Sequence, residues 1–92
     1  MMTIKVAVLG GLVQFTANQS RVEVSGSTVE EVLRAVERIY PDVAESICDE
    51  QGKVREFINV FVEGKDMRKL EGENTPVPDG SQIYIVPSVA GG

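Results

Sequence analysis

Alternating apolar and polar residues along the chain predict four β-strands. Such alternation gives a strand one buried face, because successive side chains point to opposite sides of a sheet. The strongest pattern is 56–63, rich in β-branched and aromatic residues, where Ile58, Val60 and Val62 share one face and Phe57, Asn59 and Phe61 the other. The predicted strands are 3–8, 21–25, 56–63 and 82–87.

Glycine and proline mark the breaks between these strands. Gly10-Gly11 ends the first strand and predicts a turn, since neither a phosphate-loop motif nor a helix pattern follows it. A polar connection over 17–20 leads to the second strand. Gly64-Lys65 predicts a tight turn, and Pro78-Asp79-Gly80 predicts a turn closed by an Asx hydrogen bond.

A single apolar stripe predicts the main helix over 28–40. Thr28 is the expected N-cap, with Glu31 as the returning member of a capping box, and Ser27 with Glu30 is the alternative register. Pro41 ends the helix, and a further helical turn is expected within 43–48. The stripe consists of Val29, Val32, Leu33, Val36, Ile39 and Tyr40.

The composition argues against an independent enzyme. The 92 residues suffice for one domain, and they include no histidine, no tryptophan and one cysteine. The commonest general base, most zinc sites and every Cys–His nucleophile are thereby excluded. Cys48 is interpreted as a packed small hydrophobe rather than a reactive thiol, because no cationic residue stands close to it in sequence.

The protein is acidic, and its charged residues are unevenly distributed along the chain. The net charge is −5, and residues 30–50 hold seven acids and two bases, so this segment alone carries −5. The acidic side is either a solvated helical face or a surface that steers towards a basic partner. No polycationic surface for nucleic acid, no metal-site spacing, no membrane span and no signal peptide is expected, which favours a cytoplasmic location.

The order of elements resembles the β-grasp domain of the ubiquitin-like sulfur carriers. The resemblance rests mainly on Phe57–Asp66, on Pro78-Asp79-Gly80 and on Ile85–Gly92, which ends in Val-Ala-Gly-Gly. It implies an α+β, ubiquitin-like β-grasp fold, with a mixed four- to five-stranded sheet packed on one main helix at about 28–40. The implied domain is 1–87, and 88–92 is a flexible C-terminal Gly-Gly tail.

The same resemblance implies a chemistry for the tail. The carboxylate of Gly92 is activated by an E1-like adenylating enzyme with ATP. Sulfur from a persulfide or sulfide donor then displaces AMP and leaves a thiocarboxylate. Gly91 and Gly92 lack a Cβ, so the backbone can approach a nucleotide closely, and Val89 and Ala90 belong to the same small-residue tail. The chain itself is expected to bind no cofactor and no metal, since ATP belongs to the partner.

The resemblance also implies partners and a docking surface. Phe61, Tyr84 and Val86 are expected to form an exposed apolar patch, and the alternative is that Phe61 packs under the connection 68–76. The sulfur acceptor is expected to be of the molybdopterin synthase large-subunit, thiamine or cysteine synthase type. Val86-Pro87-Ser88 lacks the aromatic of many molybdopterin synthase small subunits, and the Val-Ala-Gly-Gly end is more similar to cysteine-biosynthesis carriers. The chain alone is expected to be a monomer.

Two other functions stay open at this stage. A ubiquitin-like modifier, conjugated through Gly92 to lysines, would use the same activation. A passive β-grasp interaction module would not need Gly91 or Gly92 at all.

Overall fold

Five strands form one mixed sheet in the order β2-β1-β5-β3-β4. The computed structural model describes residues 3–88, so Val89, Ala90, Gly91 and Gly92 lie outside the described residues. The strands are β1 (Ile4–Val8), β2 (Arg21–Val24), β3 (Ile58–Val62), β4 (Lys65–Asp66) and β5 (Gln82–Pro87). The helices are α1 (Val29–Ile39) and α2 (Asp42–Ile47). The predicted α+β class and main helix are therefore confirmed.

The last strand in sequence is the middle strand of the sheet. β5 pairs in parallel with β1, where Val6 is opposite Ile83. On its other side β5 pairs antiparallel with β3, where Val60 is opposite Ile85. β2 extends the sheet beyond β1, and β4 extends it beyond β3. Both edges of β5 are thus paired within the sheet, over 82–85 with β1 and over 83–87 with β3.

The hydrophobic core lies between one face of this sheet and the apolar stripe of α1. Alternate residues of each long strand are buried, as the period of two predicts. Val60, Ile83 and Ile85 have no solvent exposure. Val29, Val32, Leu33 and Val36 supply the helical side, and α2 adds Val43 and Ile47. The inward face of each of the four predicted strands is therefore the one that the sequence predicts.

The start of α1 is capped from both directions. Thr28 Oγ1 accepts a hydrogen bond from the Glu31 amide at 3.2 Å, which confirms Thr28 as the N-cap. The Glu31 carboxylate accepts from the amide and the hydroxyl of Ser27, both at 2.8 Å. The returning bond thus reaches the residue before the N-cap. These two hydrogen bonds, chiefly the one from the Ser27 amide, lower the pKa of the Glu31 carboxyl.

The end of α1 departs from the predicted stripe. Tyr40 is only partly buried against the core, and Ile39 is 52% exposed. At about 100° per residue, Ile39 lies only about 20° from the fully buried Val32 around the helix, so its exposure follows from its place in the last turn, beyond the surface that covers the stripe. The expectation that Ile39 belongs to the buried stripe is therefore wrong.

The segment after β1 contains more structure than its sequence predicts. Gly10–Phe15 is a 3₁₀ helix, and its Leu12 side chain is buried. Two further 3₁₀ turns, Met67–Lys69 and Gly72–Asn74, occupy the connection between β4 and β5. Gly10-Gly11 therefore begins an element as well as ending the strand. A run of six residues is too short for its periodicity to reveal such a helix.

The two predicted tight turns form, with different details. Glu63 and Gly64 have φ values of 51° and 84°, and Val62 pairs with Lys65, so the turn lies one residue earlier than expected. In the other turn the Ser81 amide donates to the Pro78 carbonyl at 3.0 Å. The expected Asx bond within that turn is wrong: Asp79 Oδ1 accepts from the distant amide of Thr3 at 2.7 Å. This hydrogen bond connects the turn to the residue just before β1.

Replacing Val60 with aspartate is expected to unfold the domain. The side chain has no exposure, and burying an unpaired carboxylate costs several kcal/mol, a large part of the ~5–15 kcal/mol that stabilises a small domain. Circular dichroism during thermal unfolding measures the effect. Asn59→Asp is the matched control, because it puts the same carboxylate on the adjacent residue of β3, on the outward face. A cooperative, wild-type-like transition in Val60→Asp would contradict the inward orientation of this residue.

Candidate functional site

Three apolar side chains lie together on the sheet face that α1 does not cover. The register places Phe61 directly opposite Tyr84, and Val86 opposite Asn59. Phe61, Tyr84 and Val86 are each partly exposed. We call these three residues the apolar patch. Two of them belong to β5, the strand that continues towards Gly92.

Phe61 is flanked by the connection between β4 and β5 without being buried by it. The aromatic ring lines a shallow surface cavity together with Lys69 and Leu70. Leu70 is 42% exposed and extends the apolar surface beyond the sheet. Phe61 is therefore partly covered and is not buried beneath 68–76.

Charged side chains border the apolar patch at both ends. Arg21 is opposite Ala7, Ala7 is opposite Tyr84, Tyr84 is opposite Phe61, and Phe61 is opposite Asp66. This row across the sheet begins with a cation and ends with an anion. The row therefore carries opposite charges at its two ends, which gives the patch an electrostatic direction.

The point at which the chain leaves β5 is tightly packed. The Ser88 amide donates to the Phe57 carbonyl at 2.6 Å. On the other side Gly10 lies against the Pro87 ring, and a Cβ at Gly10 would come within 2.9 Å of Pro87 Cγ. Gly10 also has a φ of +63°, which favours glycine. Glycine at position 10 thus permits the close approach of Pro87.

A polar network adjoins the same point. Asn59 Nδ2 donates to Ser88 Oγ at 2.7 Å, and Asn59 Oδ1 accepts from Arg68 Nη1 at 3.2 Å. We call Asn59, Arg68 and Ser88 the exit network. The strand pattern places Asn59 on the face opposite Ile58, Val60 and Val62 and indicates no role for it. The one feature that could have indicated a role is a single amide side chain within an otherwise apolar strand.

Cys48 is buried, as its interpretation as a packed hydrophobe predicts. Burial raises the pKa of its thiol to about 11, although the Arg34 guanidinium, 3.9 Å from Sγ, acts in the opposite direction. The thiol is therefore neutral at pH 7. The contact with Arg34 joins residues 14 positions apart and has no local signal in the sequence.

The acidic side of the molecule is mostly solvent-exposed. Glu30, Asp42, Glu45, Asp49 and Glu50 are all exposed. Among residues 3–88, Arg34 and Glu37 form the one ion pair, at 3.2 Å. The same residues contain no group of three or more His, Cys, Asp or Glu that could hold a metal ion.

None of the helices within 3–88 has the length and hydrophobicity that crossing a bilayer requires.

Comparison with known proteins identifies relatives over most of the chain. Residues 6–92 match the model of the ThiS family. The sulfur carrier protein CysO of Mycobacterium tuberculosis is 35% identical over 79 residues, which are 84% of this chain and 85% of that protein. Small archaeal modifier protein 3 of Haloferax volcanii is 36% identical over 66 residues, 72% of this chain and 71% of that protein.

A solved structure matches the whole architecture. One chain in the crystal structure of the Amycolatopsis orientalis BexX/CysO complex superposes with a TM-score of 0.89 and 34% identity. The match covers 97% of this chain and 99% of that one. The expected ubiquitin-like β-grasp fold is thereby confirmed. Together with the family match over 6–92, these relatives show that the chain belongs to the ThiS family of ubiquitin-like sulfur carriers.

Proposed function

We propose that this sulfur carrier acts through the carboxylate of Gly92, which an adenylating enzyme activates and which then becomes a thiocarboxylate. One observation carries the proposal: β5 bears Tyr84 and Val86 of the apolar patch and leads directly into Ser88 and the Gly-Gly sequence. A partner that docks on the patch therefore meets the chain where it leaves the sheet. The matched family region includes Gly91 and Gly92.

The chemistry asks little of the carrier itself. A carboxylate oxygen of Gly92 attacks the α-phosphate of ATP, and pyrophosphate leaves. Hydrosulfide then attacks the acyl carbon of the adenylate, and AMP leaves. The partner binds ATP, whereas the carrier supplies a carbonyl without steric hindrance. Five extended residues after Pro87 reach roughly 16 Å, enough to enter a cleft in the partner.

The proposed partners are an adenylating enzyme and a sulfur-acceptor enzyme. The similarity to CysO and the Val-Ala-Gly-Gly sequence favour an acceptor of the cysteine synthase type over the molybdopterin synthase large subunit. In this proposal the carrier is a protein co-substrate of cytoplasmic enzymes and catalyses no step. Residues 1–87 form its folded domain, and 88–92 form its reactive tail.

Incubation with the cognate adenylating enzyme, ATP and sulfide is expected to increase the intact mass by the difference between sulfur and oxygen. Deleting Gly92 is expected to abolish this increase, because the reacting carboxylate is then displaced by one residue. Mass spectrometry of the intact protein measures both. Gln51→Ala, at an exposed residue in the loop between α2 and β3, serves as a control that keeps the increase. An unchanged wild-type mass with an enzyme that adenylates a known carrier would disprove the proposal.

Tyr84→Ala is expected to weaken binding to the adenylating enzyme and to leave the domain folded. The ring is partly exposed on the apolar patch, and losing an aromatic anchor from an interface typically raises Kd about tenfold. Isothermal titration calorimetry measures Kd, and thermal unfolding verifies the fold. Tyr84→Phe is the matched control, because it keeps the ring and removes only the hydroxyl. Equal Kd values for Tyr84→Ala and the wild type would place the docking surface elsewhere.

Protein modification is a second candidate function, favoured by the similarity to small archaeal modifier protein 3. In this case an amine of a target lysine, rather than a sulfur donor, attacks the activated Gly92 carbonyl. Tryptic digests of the native host are then expected to contain lysines that bear residues 70–92 as a branched remnant, because Lys69 is the last tryptic cleavage site of the chain. A strain that expresses the chain without Gly92 provides the control. Absence of remnants in the wild-type strain, alongside a sulfur-for-oxygen mass increase, would exclude conjugation and leave sulfur transfer.

A further inference from the structure

The amide of Asn59 has a defined orientation. A guanidinium only donates hydrogen bonds, so the atom of Asn59 that faces Arg68 Nη1 at 3.2 Å is the carbonyl oxygen Oδ1. The amide nitrogen therefore faces Ser88 and donates to its hydroxyl oxygen at 2.7 Å. Arg68 thus determines which group Asn59 presents to Ser88.

Arg68 is itself held in place. Its Nη2 donates to the backbone carbonyls of Arg55 at 2.9 Å and Ile58 at 2.8 Å. Its amide donates to Asp66 Oδ1 at 2.8 Å. The guanidinium therefore bridges the start of β3 to the turn after β4. A planar group with several fixed acceptors has little rotational freedom.

Ser88 consequently forms two hydrogen bonds, one with a residue of β3 and one with the residue just before β3. Its amide donates to the Phe57 carbonyl at 2.6 Å, and its hydroxyl accepts from Asn59 at 2.7 Å. Ser88 is therefore held through both its backbone amide and its side chain. Asn59 lies opposite Val86, so the exit network adjoins the apolar patch.

We propose that Asn59 and Arg68 are positioning residues, which set the direction in which the chain leaves Ser88 and so present the C-terminal carboxylate to an adenylating enzyme docked on the apolar patch. This inference rests on the proposed function. Ser88 and Arg68 are exposed, so water competes for their hydrogen bonds and the exit network adds little to stability. Its effect is to restrict the orientations that a partner must select before reaction.

Asn59→Leu tests the proposal with a side chain of similar size that makes neither hydrogen bond. It is expected to lower kcat/KM for adenylation about fivefold, the usual effect of losing one hydrogen bond, here the bond to Ser88. ATP–pyrophosphate exchange at limiting carrier concentration measures kcat/KM. Asn59→Asp is expected to keep the wild-type value, because its carboxylate accepts from both Arg68 and the Ser88 hydroxyl. Wild-type kcat/KM in Asn59→Leu would overturn the proposal.

A double-mutant cycle separates positioning from general destabilisation. Ser88→Ala is expected to cause the same decrease as Asn59→Leu, and the double variant is expected to be no worse than either, since both remove the hydrogen bond between Asn59 and Ser88. Val36→Ala is the control, because it lowers Tm from within the buried stripe of α1. An equal decrease of kcat/KM in Val36→Ala, measured where it is fully folded, would assign the effect to stability and overturn positioning.

Amide hydrogen exchange provides a readout that does not depend on the reaction. Asn59→Leu is expected to speed the exchange of the Ser88 amide about fivefold and to leave that of Val60 unchanged. If the wild-type carrier is not adenylated at all, the proposed function fails, while this measurement still reports whether Asn59 holds Ser88. Unchanged exchange at Ser88 overturns the positioning role even where adenylation proceeds.

Discussion

The burial of Ile83 and Ile85 against α1 determines the orientation of the whole last strand. β5 lies between β1 and β3, and its inward residues have no solvent exposure, so a shift of one residue in register would exchange its faces. The same constraint turns Tyr84 and Val86 outward. The core and the outward surface are therefore two results of a single register.

The same register pairs both edges of the strand that leads to Gly92, the proposed reactive residue. A central strand hydrogen-bonded on both edges resists local opening more than an edge strand does. The last residues before the tail, Pro87 and Ser88, are held by Gly10 on one side and by the Phe57 carbonyl on the other. The packed domain thus extends to Ser88, four residues before Gly92 in the sequence. The exposed acidic residues lie on the helical side of the molecule.

Local sequence patterns predicted the strands, the capped helix and the inward face of each strand, because period-two and helical stripes record burial directly. Contacts between distant residues were not predictable in this way. Three sets of hydrogen bonds form only when the chain has folded. They connect Arg34 with Cys48, Thr3 with Asp79, and Asn59 with both Arg68 and Ser88. Ile39 shows the related failure, since periodicity specifies an angle around α1 but not where its partner surface ends.

The parallel pairing of β1 with β5 has a consequence for protein engineering. Because the two strands run in the same direction, Ile4 and Pro87 lie at opposite ends of the sheet, separated by roughly 20 Å, since the register offsets them by about six residues. A reporter or affinity tag joined ahead of β1 therefore sits across the domain from Ser88. A carrier immobilised through its N-terminal side can present its other end freely, which suits surface-based assays and the display of many copies on a scaffold.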